Sequence, residues 1–146
     1  MATLCDFTLA VEDAKFGYTE VKVGFIPALV SVFLTRQIGE KRARDLLLTG
    51  RIIGAPEAKE LGLVTEIVAA EELLPDAREL ADVLLAASPT SLTRTKRLLI
   101  SAAAAGVDAD IERAIAENAA IRSTSDFREG LTAFLERRRP NWRGES

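Results

Sequence analysis

Apolar and polar positions divide this chain into a short extended opening and a long helical remainder. Phe7 to Val11 is apolar and rich in strand-forming residues, and Glu12-Asp13 reads as the turn after it. Ala14 to Gly17 and Val21 to Gly24 read as further short extended pieces. From Ala28 to Ile38 the apolar residues fall on nearly all sides (Leu29, Val30, Val32, Phe33, Leu34, Ile38), which predicts a helix that is buried or lies under a partner. Pro27 suits its first turn and Gly39 its end. Glu40 to Thr49 predicts a second helix, with Ala43, Leu46 and Leu47 on one side and Lys41, Arg42 and Arg44 on a solvated face.

Gly50 to Gly54 then reads as an extended link, and Ala55 to Leu61 as a short helix with Pro56 near its start and Gly62 as its C-cap. Leu63 to Val68 has the pattern of a strand. Glu71 to Ala87 predicts a helix whose apolar stripe runs through Leu73, Leu74, Ala77, Leu80, Ala81, Leu84 and Leu85. Ser88-Pro89 opens the next, which runs to about Ala105 and stops at Gly106. Asp108 or Asp110 starts another, through Ile111, Ala114, Ile115 and Ala119. The last is predicted from Asp126 to Arg139, capped by Ser125, with Phe127, Leu131, Phe134 and Leu135 inward. So few strands cannot build a sheet with both faces covered, and the edge they leave would be exposed, which makes a free-standing fold awkward.

Composition narrows the chemistry. The chain has 146 residues, 48% of them hydrophobic, and a formal net charge of −3, which suits one domain with a core. That charge gives no electrostatic footprint for nucleic acid, although Arg137, Arg138, Arg139 and Arg143 cluster near the end. No apolar run reaches the ~20 residues that span a bilayer, and the first residues lack the layout of a signal peptide. Neither a nucleic acid nor a membrane is therefore expected as a partner, and the expected location is cytoplasmic. The single cysteine, Cys5, rules out an internal disulfide and reads as a small buried apolar residue. Asp6 beside it reads as a turn or capping group. The chain contains no histidine, which removes the usual general base, the Ser-His and Cys-His pairs and the commonest metal ligand. One cysteine cannot make a thiolate zinc site, so no metal is expected. Chemistry within the chain must use carboxylate, tyrosine, lysine or backbone groups.

Glu20 is the foremost candidate. It stands between short apolar runs, with Gly17 and Gly24 on either side and Pro27 ending the segment before a helix. Tyr18, Val21, Val23, Phe25 and Ile26 supply the apolar neighbours that tune a carboxylate for general acid or base work. The simpler reading is a solvated glutamate at a strand end.

The order Cys5-Asp6, Phe7-Thr8-Leu9-Ala10, Ala14-Lys15-Phe16-Gly17, Glu20 and Gly24-Phe25-Ile26-Pro27 resembles the signature region of the enoyl-CoA hydratase/isomerase (crotonase) family. The similarity continues through Arg36-Gln37-Ile38-Gly39, Leu48-Thr49-Gly50, Ala55-Pro56-Glu57-Ala58, Gly62-Leu63-Val64 and Ser88-Pro89. It ends in Arg128-Glu129-Gly130 and the run Phe134 to Pro140. It spans essentially the whole chain and corresponds to the C-terminal half of the family's domain. The fold class it implies is α/β, a partial crotonase-type (ClpP/crotonase-like) spiral, with residues 1–87 ending the spiral core and 88–146 forming a helical trimerisation region.

The resemblance also implies a function: hydration of a 2-enoyl-CoA thioester in fatty-acid or branched-chain acyl catabolism, with methylglutaconyl-type substrates as the nearest branch. No cofactor is implied, because coenzyme A is part of the substrate. Glu20 falls on the family's second acidic position, which donates a proton to C2 and helps orient the water. Thr19, Phe25 and Ala28 match positions that line the acyl pocket, and Arg137 matches a basic residue that reaches coenzyme A phosphates across a subunit boundary. A turn residue, a core aromatic, a helix start and a basic last turn that complements a helix dipole are the competing readings of these four. The family's other acidic position and the glycine-rich segment that supplies an oxyanion donor would precede Met1. Where many hydratases have Pro-Gly-x-Gly-Gly, this chain has Pro27-Ala28-Leu29-Val30-Ser31, which changes the acyl pocket. The family assembles as trimers that pair into hexamers, so a homo-oligomer is expected. The rival expectation is a truncated, non-catalytic fragment or assembly subunit that lacks the oxyanion hole.

Overall fold

The structure, a computed structural model, describes residues 4–103 and 106–142. Among the described residues are two small sheets and seven α-helices. Strand β1 (Leu9–Val11) pairs in parallel with β4 (Glu66–Val68), Ala10 opposite Ile67. Strand β2 (Lys15–Gly17) pairs antiparallel with β3 (Ile52–Gly54), Phe16 opposite Ile53. Between β2 and β3 lie a 3-10 turn (Glu20–Val23), helix α1 (Ala28–Ile38) and helix α2 (Glu40–Thr49). Helix α3 (Ala55–Glu60) joins β3 to β4, and α4 (Leu73–Leu85), α5 (Pro89–Ala103), α6 (Val107–Ile121) and α7 (Ser125–Leu135) follow.

Helices α1 and α2 end where the glycines require. Gly50 sits in the left-handed region at φ 57, and its N–H closes the last turn of α2 onto the Leu46 carbonyl. The main core lies between these helices, β1, β3 and α3, with Leu34 and Leu46 fully enclosed. A second cluster joins Ala28 and Val32 of α1 to Ala114 of α6. Helix α1 is thus buried on two sides, although Leu29 stays half exposed.

Several expectations need correction. Val21 to Gly24 is not extended: the Lys22 N–H donates to the Thr19 carbonyl at 2.9 Å, and Gly24 at φ 70 turns the chain. Cys5 is exposed, not buried, because β1 starts only at Leu9. Asp6 lies in a bend and pairs with Lys96 of α5. In α4 no residue is buried, and Leu74 and Leu85 of its predicted stripe face outward. Helix α6 begins at Val107, ahead of both aspartates, after left-handed Gly106. In α7 the cap is Thr124, whose Oγ1 accepts from the Phe127 N–H at 3.1 Å, and not Ser125. That helix stops at Leu135, and Leu131, Phe134 and Leu135 are exposed, not inward; its buried residues are Gly130 and Ala133. Ser88 does cap α5, accepting from the Ser91 N–H at 3.3 Å. The predicted end of α5 at Ala105, and Arg143, lie outside the described residues.

The closure of α7 is unusual in its residue. The Arg137 N–H donates to the Phe134 carbonyl at 3.2 Å and the Arg138 N–H to the Ala133 carbonyl at 3.0 Å, the paired closure that normally uses glycine. Here Arg137 takes the left-handed position, at φ 54. Arg138 then reaches back to Glu129 with both of its terminal nitrogens, at 2.6 and 3.0 Å.

Arg51 ties α2 to α3, at 2.6 Å from Asp45 and 2.5 Å from Glu57. Its hydrogen bond holds the Glu57 carboxyl below its ordinary value of 4.5, against a smaller opposing effect of burial. A lowered folded-state pKa contributes stability above the ordinary value, and that contribution is lost as pH falls through the folded one.

Two outcomes follow. Urea midpoints taken between about pH 5 and pH 3 should fall more steeply for the parent than for Arg51→Met, in which Glu57 returns toward its ordinary range. Arg137→Gly should be more stable than Arg137→Ala by about 1 kcal/mol, because only glycine enters the left-handed region freely; denaturant unfolding of the two variants measures the difference.

Candidate active site

The site is built around the 3-10 turn. The Phe25 N–H donates to the Glu20 carbonyl at 3.0 Å, so the turn closes on itself and fixes the backbone from which the Glu20 side chain departs. Thr19 precedes it as an exposed N-cap residue that makes no side-chain cap bond. The Oε2 atom of Glu20 is buried, and no described group is within hydrogen-bonding reach of it. A desolvated carboxylate oxygen without a partner is costly, and such an orphan calls for a functional account.

Two helices hold this turn. Beneath it is the end of α2, where the side chains of Val21 and Lys22 lie against Gly50. On the other side α7 crosses it, and the ring of Phe25 meets that of Phe127 with centroids 5.5 Å apart. The Arg122 guanidinium stands 5.8 Å from the centre of the Phe25 ring.

Beside the turn opens a cavity of about 560 Å³ between α1, α2 and α6. Ile26, Pro27, Ala28 and Ser31 form the wall nearest the turn, and Leu47, Leu48 and Ala114 face them. Ser31 Oγ donates to the Ala28 carbonyl at 2.7 Å and Thr35 Oγ1 to the Ser31 carbonyl at 2.8 Å, so both hydroxyl protons are turned into the helix. Asp110 of α6 lies at the rim, 2.6 Å from Arg36 and also paired with Arg113. The Arg36 hydrogen bond, then that of Arg113, holds its carboxyl below the usual carboxylate range.

The sequence-derived residues are therefore partly gathered. Thr19, Glu20 and Phe25 share the turn and its exit, and Ala28 opens α1 and lines the cavity. Arg137 stands apart at the end of α7, exposed. Sequence reasoning missed the rim cluster of Arg36, Asp110 and Arg113, in which Arg36 lies 74 residues from Asp110 along the chain. It also missed Gly130, quoted only as part of Arg128-Glu129-Gly130. A glycine inside a helix costs roughly 0.5–1 kcal/mol against alanine, and that cost is the signal that could have singled it out. No group of three or more metal-ligating side chains occurs among the described residues, and no described helix is long and apolar enough to cross a membrane.

The enoyl-CoA hydratase/isomerase family model matches residues 1–145. A Thermus thermophilus protein provisionally named an enoyl-CoA hydratase is 46% identical over 142 residues, covering 97% of this chain and 56% of its own length. The crotonyl-CoA hydratase of Syntrophomonas wolfei is 38% identical over 147 residues, covering 97% of this chain and 55% of its own length. Among solved structures, the carnitinyl-CoA hydratase of Mycobacterium avium superposes with a TM-score of 0.90 at 33% identity, over 99% of this chain and 57% of that one. The chain spans a little over half the length of these relatives. Over that span it belongs to the enoyl-CoA hydratase/isomerase family, and its strands and helices are part of an α/β crotonase-like fold.

Proposed function

We propose that this chain contributes Glu20 to the hydration of a 2-enoyl-CoA thioester. The observation that carries the reading is the buried, unpartnered Oε2 of Glu20 on a rigid turn next to a mostly apolar cavity. In the reaction, a water oxygen bonds to C3 while the C2–C3 π pair moves toward the thioester carbonyl, whose oxygen gains enolate character. Glu20 then delivers a proton to C2 and helps to orient the incoming water, whose own proton leaves to a base. Preorganised N–H donors on the enolate oxygen complete such a site and usually supply its largest stabilising effect. Because the chain spans a little over half of its relatives' length, the activity is assigned to the assembled site.

The acyl group is proposed to enter along Ala28, with Thr19 and Phe25 bordering it. The methylglutaconyl-type branch is the proposed substrate on the resemblance of the sequence, and Ala28-Leu29-Val30-Ser31 is the stretch that changes the acyl pocket. Arg137 is the proposed contact for a coenzyme A phosphate; its planar fork suits phosphate, and its side chain is exposed. No cofactor beyond the coenzyme A of the substrate is invoked. A cytoplasmic role in fatty-acid or branched-chain acyl breakdown is the setting that this chemistry fits.

Assembly into a homotrimer, or a hexamer of paired trimers, is proposed on the apolar surface of the C-terminal helices. Leu98, Leu99, Phe134 and Leu135 are each about two-thirds exposed or more, at 70%, 68%, 66% and 72%. Apolar surface of that extent marks contact with another protein surface.

Two experiments test these readings. Loss of enoyl-thioester absorbance with crotonyl-CoA and with methylglutaconyl-CoA should slow ~10²–10⁴-fold in Glu20→Gln; near-parent rates on the substrate turned over would remove Glu20 from the mechanism. The 146-residue chain assayed alone is the control, and turnover by it would show that the described residues suffice. Light scattering at dilute concentration should report a mass several-fold above 15.8 kDa, and a stable monomer of that mass contradicts the assembly.

A further inference from the structure

Where α7 crosses the turn, backbone touches backbone. A Cβ placed on Gly130 would lie 2.3 Å from the Val23 carbonyl oxygen, 2.4 Å from the Val23 carbonyl carbon and 2.9 Å from the Gly24 nitrogen. The contact is reciprocal: a Cβ on Gly24 would lie 2.4 Å from the Asp126 carbonyl oxygen and 3.1 Å from the Phe127 Cα. No side-chain rotamer can relieve these approaches, because main-chain atoms stand on both sides. The end of α2 packs on the other side of the turn, where Val21 Cγ2 and Lys22 Cε lie 3.1 Å from the place a Cβ on Gly50 would take.

We propose that Gly130 is a positioning residue for the Glu20 carboxylate, and that α7 sets its place by direct contact with the turn. The proposal rests on the role given to Glu20 above. Val23 and Gly24 are joined to Glu20 within one closed turn, by the Gly24 N–H on the Val21 carbonyl and the Phe25 N–H on the Glu20 carbonyl. A shift of Val23 therefore carries Glu20 with it. An interior glycine weakens a helix, and at this position only glycine lets α7 sit close enough to hold the turn. Relieving a methyl group at Gly130 requires a displacement of about 1 Å, a misplacement that costs about 10²-fold in rate at a reacting centre.

The test compares Gly130→Ala with Ala133→Gly, a second buried position three residues further along the same helix, where the substitution removes a methyl group and adds no bulk. Both should lower the melting temperature. In the active protein that contains this chain, Gly130→Ala should lower kcat about 10²-fold with KM changed less than about threefold, while Ala133→Gly keeps kcat within about twofold. Amide exchange in the chain itself supplies a readout free of catalysis: the Phe25 N–H should exchange at least about tenfold faster in Gly130→Ala than in Ala133→Gly. Should Gly130→Ala not fold, Phe127→Leu loosens the same contact through the Phe25 ring without adding bulk, and a fall in kcat with faster Phe25 exchange is expected. Parent kcat in a folded Gly130→Ala or in Phe127→Leu, or an equal loss in Ala133→Gly, overturns the positioning role. If Glu20→Gln also keeps the parent rate, the functional reading falls with it; if Glu20→Gln alone is slow, only the positioning role does.

Discussion

Helix α1 packs on two partners at once, and the rest of the molecule is arranged by that fact. Leu34 and Ile38 bury it against α2 and the strands, while Ala28 and Val32 bury it against α6. Arg36 fastens the second contact through Asp110. Helix α6 leads through residues 122–124 into α7, and α7 comes back to the turn from which α1 started. Turn, α1, α6 and α7 thus close a ring in space, with Glu20 on the turn that completes it. Dispersion and apolar burial hold most of that ring, and its polar contacts lie at the outer rim, where solvent screens them.

Outside the ring the packing is looser. Every described residue from Leu85 to Ser101 is exposed, and Lys96 of α5 pairs with Asp6 at the surface. Two-stranded sheets of three residues each cannot cover such helices, and the apolar faces they leave are those of a part of a larger architecture. The same surface explains why α7 looks inside out: its small residues are buried and its large ones face away.

The ends of α1 and α2 were legible because Pro27, Gly39 and Gly50 mark them chemically, and both helices run over the residues that the apolar pattern assigned. The turn at Glu20 was not. Glu20-Val21-Lys22-Val23 alternates polar and β-branched residues with a period of two, which is the signature of a strand. Only the left-handed Gly24 and the contact with α7 select the 3-10 form, and that contact lies more than a hundred residues further along the chain. Facing was misread for a similar reason. A stripe such as Leu131, Phe134 and Leu135 states that one side of a helix is apolar, but not which neighbour covers it. Cys5 was assigned to the interior from its residue type, but it precedes the first strand and is exposed. Glu20 itself was found through its apolar neighbours and the family resemblance, whereas the cavity rim needed the fold to bring Arg36 beside Asp110.

The backbone-to-backbone approach of the turn and α7 at Gly24 and Gly130 has a genetic corollary. When two bulky side chains meet, a change in one can be offset by shrinking the other, and pairs of positions drift together. Two glycines have no smaller residue to exchange. A mutation at either site therefore has no second-site suppressor at the other, and repair must come from a shift of whole elements or from reversion. The joint is closed to gradual side-chain exploration, while the large exposed leucines a few residues away on the same helix are free to vary with whatever covers them.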